Sequence, residues 1–154
     1  GRKGGRQPNI ITSLELDSAV MEQNNLRFQK KYAEIEANEV RYEEYQTEDA
    51  DYILVAFGSS ARICNKTVQL ARQQGIKAGI LRPITLWPFP TKEIAKLADR
   101  AKGFLVAELN AGQMIEDVRL AVNGKVPVEH YGRMGGMLFS PDEILQALKE
   151  KVIK

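Results

Sequence analysis

The run Phe104-Leu-Val-Ala-Glu-Leu109 is the feature that most constrains the fold. It is apolar on nearly every position until Glu108, so it reads as a strand covered on both faces, as in a parallel sheet. A second such run, Tyr52-Ile-Leu-Val-Ala-Phe57, is apolar throughout. Each is followed by a short polar turn and a helical pattern: Gly58-Ser-Ser60 in one case and Asn110-Ala-Gly-Gln113 in the other. Polar groups at the carboxyl end of buried parallel strands stand where open α/β sheets bind ligands. Glu108, Asn110, Gly112 and Gln113 at one turn, and Gly58, Ser59 and Ser60 at the other, are therefore candidate site residues.

Around these strands the chain alternates. Asp17 to about Asn38 predicts a helix, with Asp17 as N-cap and an apolar stripe of Met21, Phe28, Tyr32 and Ile35. Val40 to Gln46 shifts to a period of two and carries charge, which predicts an edge strand. From Tyr52 onward strands and helices follow each other at the length of β-α-β crossovers. The helices expected are Ala61–Gln74, one begun by Thr91, Ala111–Asn123 and one begun by Ser140. In the last, Ser140-Pro-Asp-Glu143 has the serine, proline and glutamate spacing of a capping box. Asn110 and Gln113 stand at the same spacing. Ser59 or Ser60 is a second candidate cap, and an anion at that helix start is the competing reading. The strands expected are Lys77–Arg82 and Val126–Tyr131. The expected division is a flexible linker or remnant over residues 1–12, a long connecting helix over 13–39 and an α/β domain over 40–154.

Two regions stand apart. Pro83-Ile-Thr-Leu-Trp-Pro-Phe-Pro90 is extended by its prolines and carries apolar side chains, so it either folds back on its own domain or forms a protein contact, with Trp87 and Phe89 as the interface candidates. Arg133 joins them, in the glycine-rich loop after His130. His130 itself reads as structural, and Cys64 as a small buried hydrophobe on the Ile63, Thr67, Val68 stripe.

Composition narrows the function. A net charge of +2 gives no argument for nucleic acid. One cysteine excludes an internal disulfide and a cysteine-built cluster, and fits a cytoplasmic setting. No apolar run approaches a membrane span. The dinucleotide glycine fingerprint and the phosphate-loop lysine motif are both missing. The chain opens with Gly1 rather than Met, so a piece of a longer protein is one expectation.

Four motifs in order carry a resemblance: Asp51-Tyr-Ile-Leu-Val-Ala-Phe-Gly-Ser-Ser-Ala-Arg62, Leu81-Arg-Pro-Ile-Thr-Leu-Trp-Pro-Phe-Pro90, Glu108-Leu-Asn-Ala-Gly-Gln113, and Gly132-Arg-Met-Gly-Gly136 with Ser140-Pro-Asp-Glu143. Together they resemble the C-terminal domain of the alpha chain of 2-oxoacid:ferredoxin oxidoreductases, a domain similar to the C-terminal domain of transketolase. The Arg41-Tyr-Glu-Glu-Tyr45 lead-in is most like the 2-ketoisovalerate members. The resemblance implies a three-layer α/β/α fold. Its mixed five-stranded sheet runs in the order 1-3-2-4-5 with strand 1 antiparallel. It also implies a holoenzyme that oxidatively decarboxylates 2-oxoacids to acyl-CoA, using thiamine diphosphate, magnesium, iron–sulfur clusters and coenzyme A, with ferredoxin as electron acceptor. The partners implied are the rest of the alpha chain and beta- and gamma-type subunits, with no nucleic acid and no membrane. No catalytic or metal residue is expected in this chain, whose role would be structural. The alternatives are a module binding an anion, nucleotide or coenzyme A in the crevice, and the equivalent domain of another thiamine-diphosphate enzyme. Glu108 has no capping role in this reading, so a hydrogen-bond or ion-pair partner from across the crevice or another chain is expected for it.

Overall fold

The computed structural model describes Gly4, Gly5, Gln7 and residues 14–153. The linker expected over residues 1–12 lies largely outside the described residues. The chain divides into two units after Asn38.

The first unit is dominated by helix α1, Ser18–Asn38. Asp17 Oδ1 accepts from the amides of Ala19 at 2.9 Å and Val20 at 3.2 Å, so the aspartate caps the helix as its sequence position predicts. Along the stripe, Phe28 and Tyr32 stack at 6.4 Å between ring centroids, and the Arg27 guanidinium lies 5.1 Å from the Phe28 ring centre. None of the helix residues is buried.

In the second unit the strands are β1 (Tyr42–Tyr45), β2 (Tyr52–Val55), β3 (Ala78–Pro83), β4 (Gly103–Glu108) and β5 (Val128–Gly132). They form one sheet in the order β1-β3-β2-β4-β5. β1 pairs antiparallel with β3, while the remaining pairings are parallel. Both β2 and β4 are central and covered on both sides, which is why neither shows a two-residue polar alternation. Residues Ile53, Val55, Leu81, Phe104 and Val106 point into one core, with α3 (Thr91–Ala98) and α4 (Met114–Val122) packed over it. Their neighbours Leu54, Ala56, Ile80, Leu105 and Ala107 point into the other, under α2 (Gly58–Gln73) and α5 (Pro141–Ala147). A final π-helical turn, Leu148–Ile153, closes the chain.

Local chemistry explains several boundaries. The Ser140 hydroxyl accepts from the Glu143 amide at 3.2 Å and the Glu143 carboxylate accepts from the Ser140 amide at 2.6 Å, completing the capping box. Thr67 Oγ1 donates to the Pro141 carbonyl at 3.1 Å, fastening α2 to the start of α5. Cys64 is buried on the α2 face toward this core, and burial pushes its thiol up to about 12. Two helix starts differ from expectation. Helix α2 begins at Gly58, with Phe57 as an extended N-cap and no side-chain cap from Ser59 or Ser60. Helix α3 has Pro90 rather than Thr91 at its cap position, again without a side-chain bond. In both, the helix starts early enough to leave those hydroxyls one to three residues too late to reach back.

Candidate functional site

The carboxyl ends of β2 and β4 lie side by side, and the chain leaves them for opposite faces of the sheet: α2 follows β2 on one, α4 follows β4 on the other. This is the switch point where α/β sheets place their crevice. Glu108, the last residue of β4, is 1% exposed. Its carboxylate is held by the first turn of the very helix that follows it. Oε2 accepts from the Met114 amide at 2.9 Å and Oε1 from the Ile115 amide at 3.1 Å, with the Gln113 amide 3.3 Å from each. The Asn110 side-chain amide donates to Oε2 at 3.1 Å. A negative group at a helix N-terminus, taking the amides that have no intrahelical partner, is favourable both by hydrogen bonding and by the helix dipole.

This corrects two expectations. Glu108 finds hydrogen-bond partners in the turn and helix that follow it in sequence rather than across the crevice. Asn110 and Gln113 do not form a capping box. Asn110 Oδ1 instead accepts from the Gly112 amide at 2.7 Å, a tight local turn, and Gln113 is itself the cap position with no side-chain bond. Gly112 adopts φ +107°, a conformation that glycine alone adopts readily, and this delays the helix to Met114.

His130, on β5, stands over the same turn. Its Nε2 is 3.8 Å from Glu108 Oε1 and is a buried atom with no hydrogen bond among the described residues. Burial lowers its pKa from the ordinary histidine value, Glu108 pulls the other way, and Lys151 and Arg119 add to the lowering. The ring fits because Gly132 carries no side chain. A Cβ on Gly132 would lie 2.5 Å from His130 Cε1, and one on Gly112 would lie 3.7 Å from it.

The remaining sequence-predicted residues fall in three places. Gly58 and Ser59 are exposed and Ser60 is buried at the start of α2, with Gly58 at φ +57°. Arg133 follows β5: its amide donates to the Glu108 carbonyl at 3.2 Å and its guanidinium to Glu143 Oε1 at 3.0 Å. Tyr131 donates to the same carboxylate oxygen at 3.4 Å. The Ser140 amide, above all, and Arg133 hold the Glu143 carboxyl below the usual carboxylate range. Trp87 is 54% exposed, whereas Phe89 packs against the α3/α4 core. Between them the loop is pinned to the start of the unit: the Ile84 and Thr85 amides donate to the Arg41 carbonyl at 2.9 and 3.1 Å. His130 is the residue that sequence reasoning left outside the candidate cluster. Gly132, which makes room for it, was the available signal.

The donor set does not suit a diphosphate at this turn, because the α4 amides that would bind it already hold Glu108. Among the described residues no group of three His, Cys, Asp or Glu side chains gathers as a metal site.

The switch-point topology and the β1-β3-β2-β4-β5 sheet define a layered α/β domain. The fold is shared, at a TM-score of 0.63 and 16% identity, with a split-gene transketolase solved as an inactive beta4 tetramer, covering 73% of this chain and 41% of that one. Residues 50–144 match the family described as pyruvate:ferredoxin oxidoreductase core domain II, and the chain belongs to that family. It is 47% identical over 142 residues to the ketoisovalerate oxidoreductase subunit VorB of Methanothermobacter marburgensis, covering 92% of this chain and 40% of that protein. The chain thus spans about two fifths of the length of the VorB relatives it matches. A solved 2-oxoglutarate:ferredoxin oxidoreductase of Magnetococcus marinus shares the fold at a TM-score of 0.71 and 21% identity, over 90% of this chain and 24% of that one.

Proposed function

We infer that this chain serves as a non-catalytic structural and subunit-interface domain of a 2-oxoacid:ferredoxin oxidoreductase, with 2-ketoisovalerate the favoured substrate class. The observation that carries the reading is Glu108. The one buried carboxylate at the switch point is fully engaged by the α4 amides and Asn110, so the cluster behaves as a built joint rather than a reactive centre. The likeness to VorB supports the choice among 2-oxoacids. In this reading thiamine diphosphate, magnesium, the iron–sulfur clusters and coenzyme A are bound mainly by other domains or chains of a multi-subunit enzyme, which passes its electrons to ferredoxin. Relatives are subunits of oxidoreductases for ketoisovalerate, 2-oxoglutarate and pyruvate, which supports a multi-subunit setting. Residues 1–12 act as a linker, 13–39 as a connecting helix and 40–154 as the docking domain. Trp87 and Arg133 are its contact residues toward the rest of the alpha chain and the beta- and gamma-type subunits. Phe89 supports the loop from beneath. No helix among the described residues is long and apolar enough to cross a membrane, in keeping with a cytoplasmic enzyme.

The test is a dye-reduction assay with 2-ketoisovalerate, thiamine diphosphate and coenzyme A. The isolated chain is expected to give no turnover, and the assembled enzyme full turnover. Activity from the chain alone would refute the non-catalytic role. Replacing Trp87 by Ala in the assembled enzyme is expected to weaken co-purification of its partners, and unchanged assembly would remove this loop from the interface. The alternative of an anion, nucleotide or coenzyme A in the crevice would have to draw on the uncapped start of α2 at Gly58-Ser59-Ser60, since Glu108 holds the amides at the start of α4.

A further inference from the structure

The sheet leaves a second concave surface, remote from the switch point. Antiparallel pairing of β1 with β3 sets Tyr45 opposite Ile80 and Glu43 opposite Arg82. Ile80 belongs to the α2/α5 core, so Tyr45 and Glu43 face the α2 side of the sheet. There they line a cleft of about 410 Å³, with Asn65 and Gln69 of α2 as its other wall, Ile80 and Arg82 between, and Glu44 at its margin. The volume falls within the roughly 300–1,000 Å³ range of small-molecule sites.

What distinguishes the cleft is its unused hydrogen-bonding capacity. Arg82 donates through Nη1 to Glu43 at 2.9 Å, yet its Nε is a covered atom with no hydrogen bond among the described residues. An acceptor that reaches it from the cleft would satisfy it. Neither the Asn65 carboxamide nor the Tyr45 hydroxyl has a hydrogen bond among the described residues. Gln69 uses only its oxygen, toward Lys66 at 3.4 Å. Asn65 and Gln69 are four residues apart on α2, hence adjacent on one face. Two neighbouring carboxamides offer paired donors and acceptors, the pattern that reads the edge of a heterocyclic base. Tyr45, 39% exposed, offers a ring for stacking. Charge sets the rest. Arg82 and Glu43 neutralise each other, and Glu44, engaged by the Thr47 hydroxyl, is balanced by Lys66 beside Gln69, so the cleft carries no net charge. No positive excess remains there to attract phosphate.

We propose that the β1–α2 cleft binds a neutral planar heterocycle of the nucleobase or nucleoside class, read by Asn65, Gln69 and Arg82 and stacked on Tyr45. The proposal stands apart from the structural role of the domain. It is tested on the 154-residue chain by two-dimensional NMR during titration with adenosine, and separately with inorganic phosphate. Adenosine is expected to give saturable shifts of the Asn65 and Gln69 side-chain amides and of Arg82 Nε–H, while phosphate leaves them unmoved. The double variant Asn65→Leu, Gln69→Leu, on the helix surface, is expected to abolish those shifts without changing the thermal midpoint. Tyr45→Leu alone is expected to weaken binding at least several-fold. Absence of saturable shifts up to about 5 mM, a level above the weak end of specific recognition, would overturn the proposal. So would shifts that persist in the double variant, or an equal response to phosphate.

Discussion

Glu108 Oε2 accepts a hydrogen bond from the Met114 amide at 2.9 Å, so the last residue of a central strand caps the helix that the chain enters next. The same carboxylate receives Ile115, Gln113 and Asn110. Glu108→Ala removes the acceptor and strands several buried donors, which should cost about 3–5 kcal/mol. Glu108→Gln keeps the shape but loses charge and turns an amide toward other amides, and should cost about 1–3 kcal/mol. Urea unfolding measures both; variants within about 0.5 kcal/mol of the parent would show that the carboxylate does not hold the joint.

His130 gives the fold a pH dependence on the acid side of neutral. Its folded pKa lies below the ordinary 6.5, chiefly through burial, so the unfolded chain binds the proton more readily. The neutral ring therefore contributes stability that is fully present above 6.5 and is lost as pH falls through the lower folded value. Unfolding free energy should decline between roughly pH 7 and 5, the range in which histidine titrates. His130→Asn should flatten that stretch of the profile. An unaltered slope in the variant would assign the effect to other groups.

Gly132→Ala tests the packing around the histidine. A Cβ there would collide with the Asn110 carbonyl oxygen and sit 2.5 Å from His130 Cε1. Backbone must move, and a loss of about 2–4 kcal/mol is expected, at the upper end of overpacking costs. Thermal unfolding of the alanine variant within 1–2 °C of the parent, less than a ~1 kcal/mol change would produce, would contradict this geometry.

Cys64 should be chemically silent in the folded protein. It is buried, with its thiol pushed up to about 12, so thiolate is scarce at neutral pH. Labelling with a disulfide reagent should be slow and should accelerate in urea in step with loss of helical circular dichroism. Rapid labelling under native conditions would place the thiol in reach of solvent.

How much of this was legible depended on how local the chemistry is. Two apolar runs announced central parallel strands, and the charge carried by residues 40–46 announced the edge strand found at Tyr42–Tyr45. Ser140 and Glu143 meet because three residues of helix bring them together whatever surrounds them. The joint at Glu108 was different. The spacing of Asn110 and Gln113 offered a complete local explanation, and it was the wrong one. Gly112 turns left-handed, Asn110 folds onto it, and the helix starts late enough for the strand's own carboxylate to reach it. His130 joins from β5 through sheet pairing opposite Val106, a contact that no spacing along the chain encodes.

The sheet order also sets how the chain must assemble. Tyr52 pairs with Gly103 and Val55 with Val106, so the two middle strands meet only after about fifty intervening residues have formed β3 and α3 and doubled back. Such non-local pairing bears a large loop-closure entropy before any contact rewards it. The β2–β3 unit, closed by the single crossover of α2, is the natural nucleus. The Glu108 joint, which needs β4 already in place, belongs to the late side of the barrier. Substitutions there should quicken unfolding and leave the refolding rate nearly unchanged.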